Sequence, residues 1–383
     1  MTAAAAGTGP DASIQNRHTF MQFAAKGLYK PLDDYFNNDG YKKDDFFPVQ
    51  FEESSWAGKL YGIPLYTDTR NLYWNRKQLN EAGFQEPPKT WAELEAYTEK
   101  LNVKNDAGDF ERMGFVPYLV GNSWAWIYGF LNGAPAISED KRTILADDPR
   151  WVEALTWLVN FYDKYLGNFE IASAFNSGFA TSTQDLFAQE RVSMQITTDD
   201  AANFYLRFPD LDFAVSPSPL PPNGVKSSWS CGWTLVIAPQ AKFPDQAWEY
   251  IKWQTGPDGW KAIADAQKAE MVKLWEREQV PGEPMFIPYE ACYIPASEFM
   301  VKEYVSKLPQ QRQDEYAMGL DCLKSWTHGC GSEMGVAALV YWVEIDNAFR
   351  AALGHKLTPE EAMKQVKDLV QKATDEAWAA ARA

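Results

Sequence analysis

Five short segments of the sequence place aromatic residues beside polar side chains that form directional hydrogen bonds. Sugars present flat faces of C–H groups ringed by hydroxyls, so a sugar site needs aromatic platforms next to planar donors and acceptors. The chain is rich in such platforms, with 16 Trp and 18 Tyr residues. The candidate ligand contacts are Asn16, Arg17, His18, Asp68, Arg70, Trp124, Trp126, Thr198, Asp199, Trp229, Gly232 and Trp233.

Two of these segments carry charged residues. Asp68 and Arg70 follow a predicted strand at 63–66, where Asp68 is able to accept two hydroxyls and Arg70 to donate two hydrogen bonds at once. The alternative is an internal salt bridge that pins the connection between two lobes. Asn16, Arg17 and His18 follow another strand-like stretch, and there a solvated turn is the alternative to a ligand contact.

The tryptophans have structural interpretations as well as functional ones. Trp124 and Trp126 share a face in a strand but diverge in a helix, so a stacking platform and a core-plus-surface pair are both open. Trp229 and Trp233 either stack on a sugar ring or pack in a core. Gly232 between them would absorb backbone change as two lobes close.

Thr198 and Asp199 follow a predicted strand and precede a predicted helix at 201–205. Asp199 has two interpretations, as a ligand contact or as the N-cap that satisfies backbone donors of that helix. Thr198 is the better ligand candidate of the two.

Capping signals and apolar runs give the elements that must position these residues. Helix starts are indicated by Thr90 with Glu93, by Asp148 before a proline, and by Thr358 with Glu361. Short apolar runs bounded by Pro, Gly or Asp predict strands at 63–66, 115–120, 192–197, 213–215 and 233–238. Strands that alternate with helices predict an α/β architecture whose sheets are covered on both faces.

Composition excludes several kinds of partner. The 383 residues carry a formal net charge of −16, which disfavours nucleic acid and anionic lipid surfaces. The longest apolar run, at 337–342, is soon broken by Glu344 and Asp346, so direct membrane insertion is not expected.

Motifs for phosphate loops, dinucleotide binding, zinc proteases and serine hydrolases are absent from the sequence, which contains 3 His. We therefore expect no catalytic residues, no cofactor and no metal. A zinc site at Cys322, His328 and Cys330 is a weaker alternative because spacing reveals no fourth ligand. Cys322 and Cys330 are also near enough in sequence to form a disulfide, although incidental cysteines are favoured.

Whole phrases of the sequence resemble the family 1 extracellular solute-binding proteins, the maltose-binding type. The specific stretch is G-K-L-Y-G-I-P-L-Y-T-D-T-R-N-L-Y-W-N-R at 58–76, continued by P-P-K-T-W-A-E-L at 87–94. The resemblance implies a periplasmic-binding-protein-like fold, with two α/β lobes joined by hinge crossover segments and a ligand cleft between them. The N-terminal lobe would comprise 1–70 and 237–303, and the C-terminal lobe 71–236 and 304–383.

The resemblance also implies a function: capture of an oligosaccharide by closure of the lobes, then delivery to the membrane subunits of an ABC importer. The implied protein is a monomer in the periplasm or outside the cell, lipid-anchored in a Gram-positive source. The phrase A-G-T-G-P-D at 6–11 comes early for this family, so the opening β-α-β segment and a signal sequence are expected to be missing.

Two alternatives of other classes remain. A glycoside hydrolase also uses aromatic platforms and needs only a pair of carboxylates. A surface adhesion or signalling module would use the same cleft to sense sugar.

Overall fold

The computed structural model describes residues 9–117, 126–177, 185–199, 201–325, 327–330 and 332–381, and these form a mixed α/β fold built on two main sheets. The strands are β1 Ala12–Asn16, β2 Ser55–Trp56, β3 Lys59–Leu60, β4 Gly62–Thr67, β5 Arg70–Asn75, β6 Val103–Lys104, β7 Phe110–Phe115, β8 Val192–Thr198, β9 Phe213–Ser216, β10 Ser228–Ser230, β11 Gly232–Ile237, β12 Glu290–Ala291 and β13 Thr327–Gly329.

Helices cover both sheets. They are α1 Phe20–Ala25, α2 Asp33–Asn38, α3 Pro48–Glu53, α4 Arg76–Glu81, α5 Trp91–Leu101, α6 Trp126–Leu131, α7 Pro149–Tyr165, α8 Phe169–Ser177, α9 Ala201–Tyr205, α10 Pro244–Thr255, α11 Pro257–Arg277, α12 Ile294–Glu303, α13 Gln310–Ser325, α14 Ala338–Leu353 and α15 Pro359–Ala381. Short 3-10 turns lie at Arg17–Thr19, Lys43–Asp45, Val305–Lys307 and Gly335–Ala337. None of the helices in the described ranges is long and apolar enough to cross a bilayer.

The first sheet has the strand order β1-β11-β4-β12, and each neighbouring pair is antiparallel. Its core joins strand residues such as Ile63 and Leu235 to Trp248 and Ile251 of α10 and Trp260 of α11. Burial of this apolar surface fixes the two helices against the sheet.

The second sheet has the order β6-β7-β8-β5-β9, with β7 and β8 parallel and the other pairs antiparallel. From Val192 to Thr197 every residue of β8 is buried, as expected for a strand with both faces covered. The surrounding core draws on helices α5, α6, α7, α14 and α15, including Trp151 and Tyr341.

The predicted α/β class is confirmed, and so are the capping signals. The Thr90 hydroxyl accepts the backbone N–H of Glu93 at 3.1 Å, while Asp148 accepts from Arg150 at 3.0 Å. The predicted strand at 115–120 is misplaced, because the observed strand is Phe110–Phe115. The prediction rested on the apolar run at 115–120. The observed strand begins earlier because its first residues, which include polar ones, pair with the edge strand β6. Residues 118–120 lie outside the described ranges.

Two chain crossings lead out of and back into the first sheet, and they lie side by side. The first runs from β4 to β5 through Asp68 and Thr69, and the second runs from β10 to β11 through Cys231. The Asp68 backbone N–H donates to the Cys231 carbonyl at 3.2 Å, and the Cys231 N–H donates to the Asp68 carboxylate at 2.6 Å. The lobe boundaries predicted at 70/71 and 236/237 stay a prediction, and they would group β11 with the second lobe although it pairs within the first sheet.

Cys231 also forms a disulfide with Cys330, whose Cα lies 5.2 Å away. The alternative bridge between Cys322 and Cys330 is therefore wrong, and Cys322 is a buried free cysteine beside Thr327. The zinc alternative fails for the same reason, because a disulfide sulfur is no longer a thiolate ligand. The favoured expectation of incidental cysteines is also wrong for Cys231 and Cys330, because the partner of Cys330 comes from the crossing 99 residues earlier and no short spacing signals it.

We expect Gly129→Ala in α6 to destabilise the fold. An added Cβ would overlap the Trp151 indole, and overpacking of a close-packed core costs about 1–3 kcal/mol. The control is Gly319→Ala in α13, where the nearest atom to the new Cβ is 3.4 Å away. Chemical denaturation measures both, and a Gly129→Ala protein as stable as the wild type would contradict the packing described.

Removal of the disulfide should lower the free energy of unfolding by about 3–5 kcal/mol, because the closed loop is long. Denaturation of a Cys231→Ser/Cys330→Ser double variant measures the loss. Peptide mapping without reductant should recover the Cys231 and Cys330 peptides linked, and Cys322→Ala should leave that map unchanged. A linked Cys322 peptide would refute the assignment.

Candidate functional site

A cleft of about 380 Å³ lies at the crossings, at the carboxyl ends of β1, β4 and β8. This is the edge of an α/β sheet at which ligands usually bind. Its lining residues are Asn16, His18, Tyr66, Thr67, Asp68, Arg70, Asp199, Cys231, Gly232, Trp233, Tyr289 and Trp342.

Aromatic rings form much of the cleft wall. Tyr66 and Tyr289 are stacked, with ring centroids 5.6 Å apart and planes 24° from parallel. A second ring pair in the lining is formed by His18 and Trp342, whose ring centroids are 5.2 Å apart. Trp233 adds a further indole at the start of β11. These are flat apolar surfaces of the kind on which a sugar ring stacks.

Asp68 and Arg70 form an ion pair on the cleft lining. Arg70 also donates from Nη1 to the Trp229 carbonyl at 3.0 Å, and its guanidinium lies 4.8 Å from the centroid of the Trp229 ring. The predicted salt bridge that pins the crossing is therefore present, and the same pair faces the cleft. Arg70 Nε is buried and has no hydrogen-bond partner among the described residues.

Asp199 faces the cleft from the end of β8 and is tied to the first crossing. Its carboxylate accepts the Thr69 backbone N–H at 2.7 Å and the Thr69 hydroxyl at 2.9 Å. Behind it lies Glu290, which is 3 % exposed. Burial, together with the neighbouring Asp199 charge, raises the pKa of Glu290 well above its ordinary value.

His18 and Asn16 turn the end of β1 into the cleft. The Asn16 carboxamide oxygen accepts the His18 backbone N–H at 3.0 Å and lies 2.5 Å from the His18 ring Nδ1. Burial lowers the pKa of His18, which favours the neutral ring. Since Arg70 is paired with Asp68, the described lining residues carry no excess positive charge with which to bind an anion.

Arg17 was predicted to contact ligand, but the structure places it behind the cleft with no exposed surface. Its guanidinium donates to Glu53 at 2.8 Å, to the Tyr66 carbonyl at 2.7 Å and to the Cys231 carbonyl at 2.7 Å. A buried cation needs such internal partners, which leaves it unavailable for a ligand. The sequence predicted correctly that Arg17 follows a strand, but it did not predict the direction in which the side chain points.

Two predicted tryptophan contacts are also corrected. Trp126 is 2 % exposed and Trp229 is fully buried, and their rings pack together with centroids 6.2 Å apart. Both belong to the core of the second sheet, which was the alternative interpretation. Trp124 lies outside the described residues. Thr198 pairs with Arg70 across β8 and β5 and is not among the described residues that line the cleft.

Sequence reasoning missed five lining residues. Tyr66 and Thr67 come immediately before the predicted Asp68, and Cys231 immediately before Gly232, so wider segments around those predictions would have included them. Tyr289 and Trp342 are brought in by the tertiary fold, and no local spacing signals them. Gly232 has a φ of 147°, and a Cβ there would overlap the Tyr66 carbonyl oxygen, so the crossing requires glycine.

Among the described residues, no group of three or more His, Cys, Asp or Glu side chains is arranged to hold a metal ion.

Comparisons with known proteins agree with this fold. A putative binding protein of Brucella abortus is 26 % identical over 258 residues, which make up 67 % of this chain and 61 % of that relative. The Pyrococcus abyssi maltotriose-binding protein is 24 % identical over 264 residues, 68 % of this chain and 54 % of its own length. The chain therefore spans about three fifths or less of the curated relatives named here.

A solved structure described as CpMnBP1 with mannobiose bound superposes with a TM-score of 0.72 at 27 % identity, covering 96 % of this chain and 86 % of that one. These relatives are binding proteins rather than enzymes. The model of the family described as bacterial extracellular solute-binding protein matches residues 1–259. Since that match covers more than half of the 383 residues, the chain belongs to the bacterial extracellular solute-binding protein family.

Proposed function

We propose that this protein captures a neutral oligosaccharide in the cleft between its sheets and delivers it to an ABC importer. The observation that carries the proposal is the lining of the cleft, where aromatic rings and directional polar side chains converge from both sheets. The family membership supports it, and so do the sugars named for its relatives, maltotriose and mannobiose.

The aromatic rings account for affinity. A sugar ring that stacks on Trp233, on Trp342 or on the Tyr66–Tyr289 pair removes apolar C–H surface from water on both partners. The cleft volume of about 380 Å³ falls in the range of sites that enclose small ligands. We infer a ligand of at least two sugar units, because the aromatic residues are spread over several cleft elements.

The polar groups account for selectivity. Asp68 and Asp199 accept hydroxyl hydrogens, whereas Arg70 and Asn16 are able to donate. With Asp68 opposed by Arg70, the remaining charge among the described lining residues is the carboxylate of Asp199, which disfavours phosphorylated sugars. A neutral, hydroxyl-rich ligand fits this pattern best.

Closure about the crossings would complete the site. Thr69 and Cys231 lie on the two connections, and Gly232 supplies a backbone conformation that other residues rarely adopt. A sugar that contacts both halves stabilises the closed form only through its preferential contacts with that form. The closed shape is then what membrane subunits of the importer would recognise, in the periplasm or at the outer cell surface.

We expect calorimetric titration with mannobiose, mannotriose and maltotriose to give saturable heat for at least one of them. Trp233→Ala and Trp342→Ala should each weaken that binding by about tenfold or more, since truncation of a buried aromatic contact is costly. The matched control is Trp253→Ala on α10, where the indole is 50 % exposed and outside the cleft lining. Equal losses in all three variants would contradict the proposed site, and steady release of reducing ends would favour a glycoside hydrolase.

Delivery is tested separately with the importer's membrane and ATPase subunits reconstituted in liposomes. Sugar-loaded protein should stimulate ATP hydrolysis more than the empty protein does, because the closed form is the one recognised. Equal stimulation by both forms, or none by either, would point instead to a sensing or adhesion role.

A further inference from the structure

Glu290 lies at the floor of the cleft but outside its lining. It is on β12, directly opposite Thr67 of β4, and it is 3 % exposed. One of its carboxyl oxygens, Oε1, lies beside Gly319 of α13, where a Cβ on that glycine would be in ordinary van der Waals contact with it at 3.4 Å. Thr69 Oγ1 is 3.6 Å from the same point. Glu290 is thus enclosed by the first sheet, the first crossing and α13.

Asp199, which comes from the other sheet, meets this carboxyl group at Thr69: the Thr69 hydroxyl donates to Asp199 at 2.9 Å, and Thr69 Oγ1 and Glu290 Oε1 flank the same point beside Gly319. Burial, together with the interaction with Asp199, raises the pKa of Glu290, as expected if Glu290 carries a proton that it shares with the Asp199 carboxylate. An ionised carboxylate only accepts hydrogen bonds, so a bond between two carboxyl groups requires a proton on one of them. Asp199 already accepts two hydrogen bonds from Thr69, which stabilise its charged form. The proton therefore belongs on Glu290, where burial disfavours the charge.

The surrounding titratable groups reinforce this arrangement. The Asp68 charge acts on Glu290 from the crossing, and Asp68 is itself paired with Arg70. From α13, the Tyr316 hydroxyl donates to the Tyr289 carbonyl at 3.4 Å, and burial raises the pKa of Tyr316. The other neighbours are two buried thiols, Cys292 beside Glu290 and Cys322 near Asp199. A second negative charge at Glu290 would face no unpaired cation among these groups.

We propose that Glu290 is a positioning residue for ligand binding: in its neutral form it donates a hydrogen bond to Asp199 and holds that carboxylate toward the sugar. This inference rests on the proposed function and deepens it, because it makes binding depend on a proton held between the two sheets. A sugar that covers Asp199 removes the carboxylate from water, which strengthens the retention of the Glu290 proton.

The direction of the pH dependence follows. A carboxyl group whose pKa is raised in the folded state stabilises that state below its ordinary pKa, and the contribution is lost as pH rises through the folded pKa. Affinity should likewise be constant while Glu290 is protonated and should fall at alkaline pH, by up to about tenfold per pH unit. Over the falling range, binding should be accompanied by proton uptake.

The test is calorimetry with mannobiose and maltotriose from about pH 5 to about pH 9, the range in which buried glutamates can titrate, in buffers of different ionisation enthalpy. Wild-type protein should lose affinity and take up a proton as pH rises. Glu290→Gln should bind with wild-type affinity at acid pH and show neither effect, because its amide still donates to Asp199 but cannot ionise. Glu290→Leu should bind at least about tenfold more weakly at every pH, since the donor is gone.

A matched control is Asp185→Asn. Asp185 is another largely buried carboxyl group with a raised pKa, bonded to the Tyr205 hydroxyl at 3.3 Å and outside the cleft lining. This variant should keep the wild-type proton uptake. If Glu290→Gln binds as weakly as Glu290→Leu, or if wild-type binding proves independent of pH, the positioning role is overturned.

A second readout needs no sugar. The melting temperature of the wild type should fall relative to that of Glu290→Gln as pH rises, whether or not a ligand is found. If no sugar binds but the melting temperature still falls in this way, the proposed function is wrong and the neutral state of Glu290 is supported. Parallel melting curves at all pH values would defeat the inference itself.

Discussion

The buried guanidinium of Arg17 is the interaction on which the cleft depends. It has no exposed surface, and it joins Glu53 of α3 to the carbonyls of Tyr66 and Cys231, one beside each crossing. Glu53 in turn accepts the backbone N–H of Ser332, which follows β13. A buried charge that loses one partner becomes strongly destabilising, so this network constrains the two crossings together. The cleft floor is therefore set by a charged core and not by apolar packing alone.

Above this core, the crossings bring charged groups and aromatic rings close together. The paired charges of Asp68 and Arg70 stand beside the aromatic rings, and the Asp199 carboxylate reaches across from β8. Each polar group is oriented by a partner within the protein, and Thr69 orients Asp199. Such pre-oriented groups lower the entropic cost of binding a flexible glycan, because the protein loses little further freedom when the ligand arrives.

Much of the fold was predictable because its signals are local. Capping residues such as Thr90 and Asp148 begin helices where the sequence predicts, and apolar runs between Pro and Gly mark β4, β8 and β11. The cleft was predictable only in part. Asp68, Asp199 and Gly232 follow or begin strands, so the rule about strand ends locates them. Tyr289 and Trp342 enter from distant segments, and the directions of Arg17 and Trp229 depend on packing that no local pattern encodes.

The cross-link between Cys231 and Cys330 ties the second crossing to the segment after β13, and the way the protein is prepared decides whether this tie is present. Cys231 is a lining residue, and its partner follows the short strand that pairs with β10. Protein recovered from a reducing cytosol would carry two thiols at this place, because glutathione and thioredoxin keep such pairs open. Samples for affinity work should therefore be oxidised and checked by thiol titration, or a mixture of oxidised and reduced molecules will be measured as one.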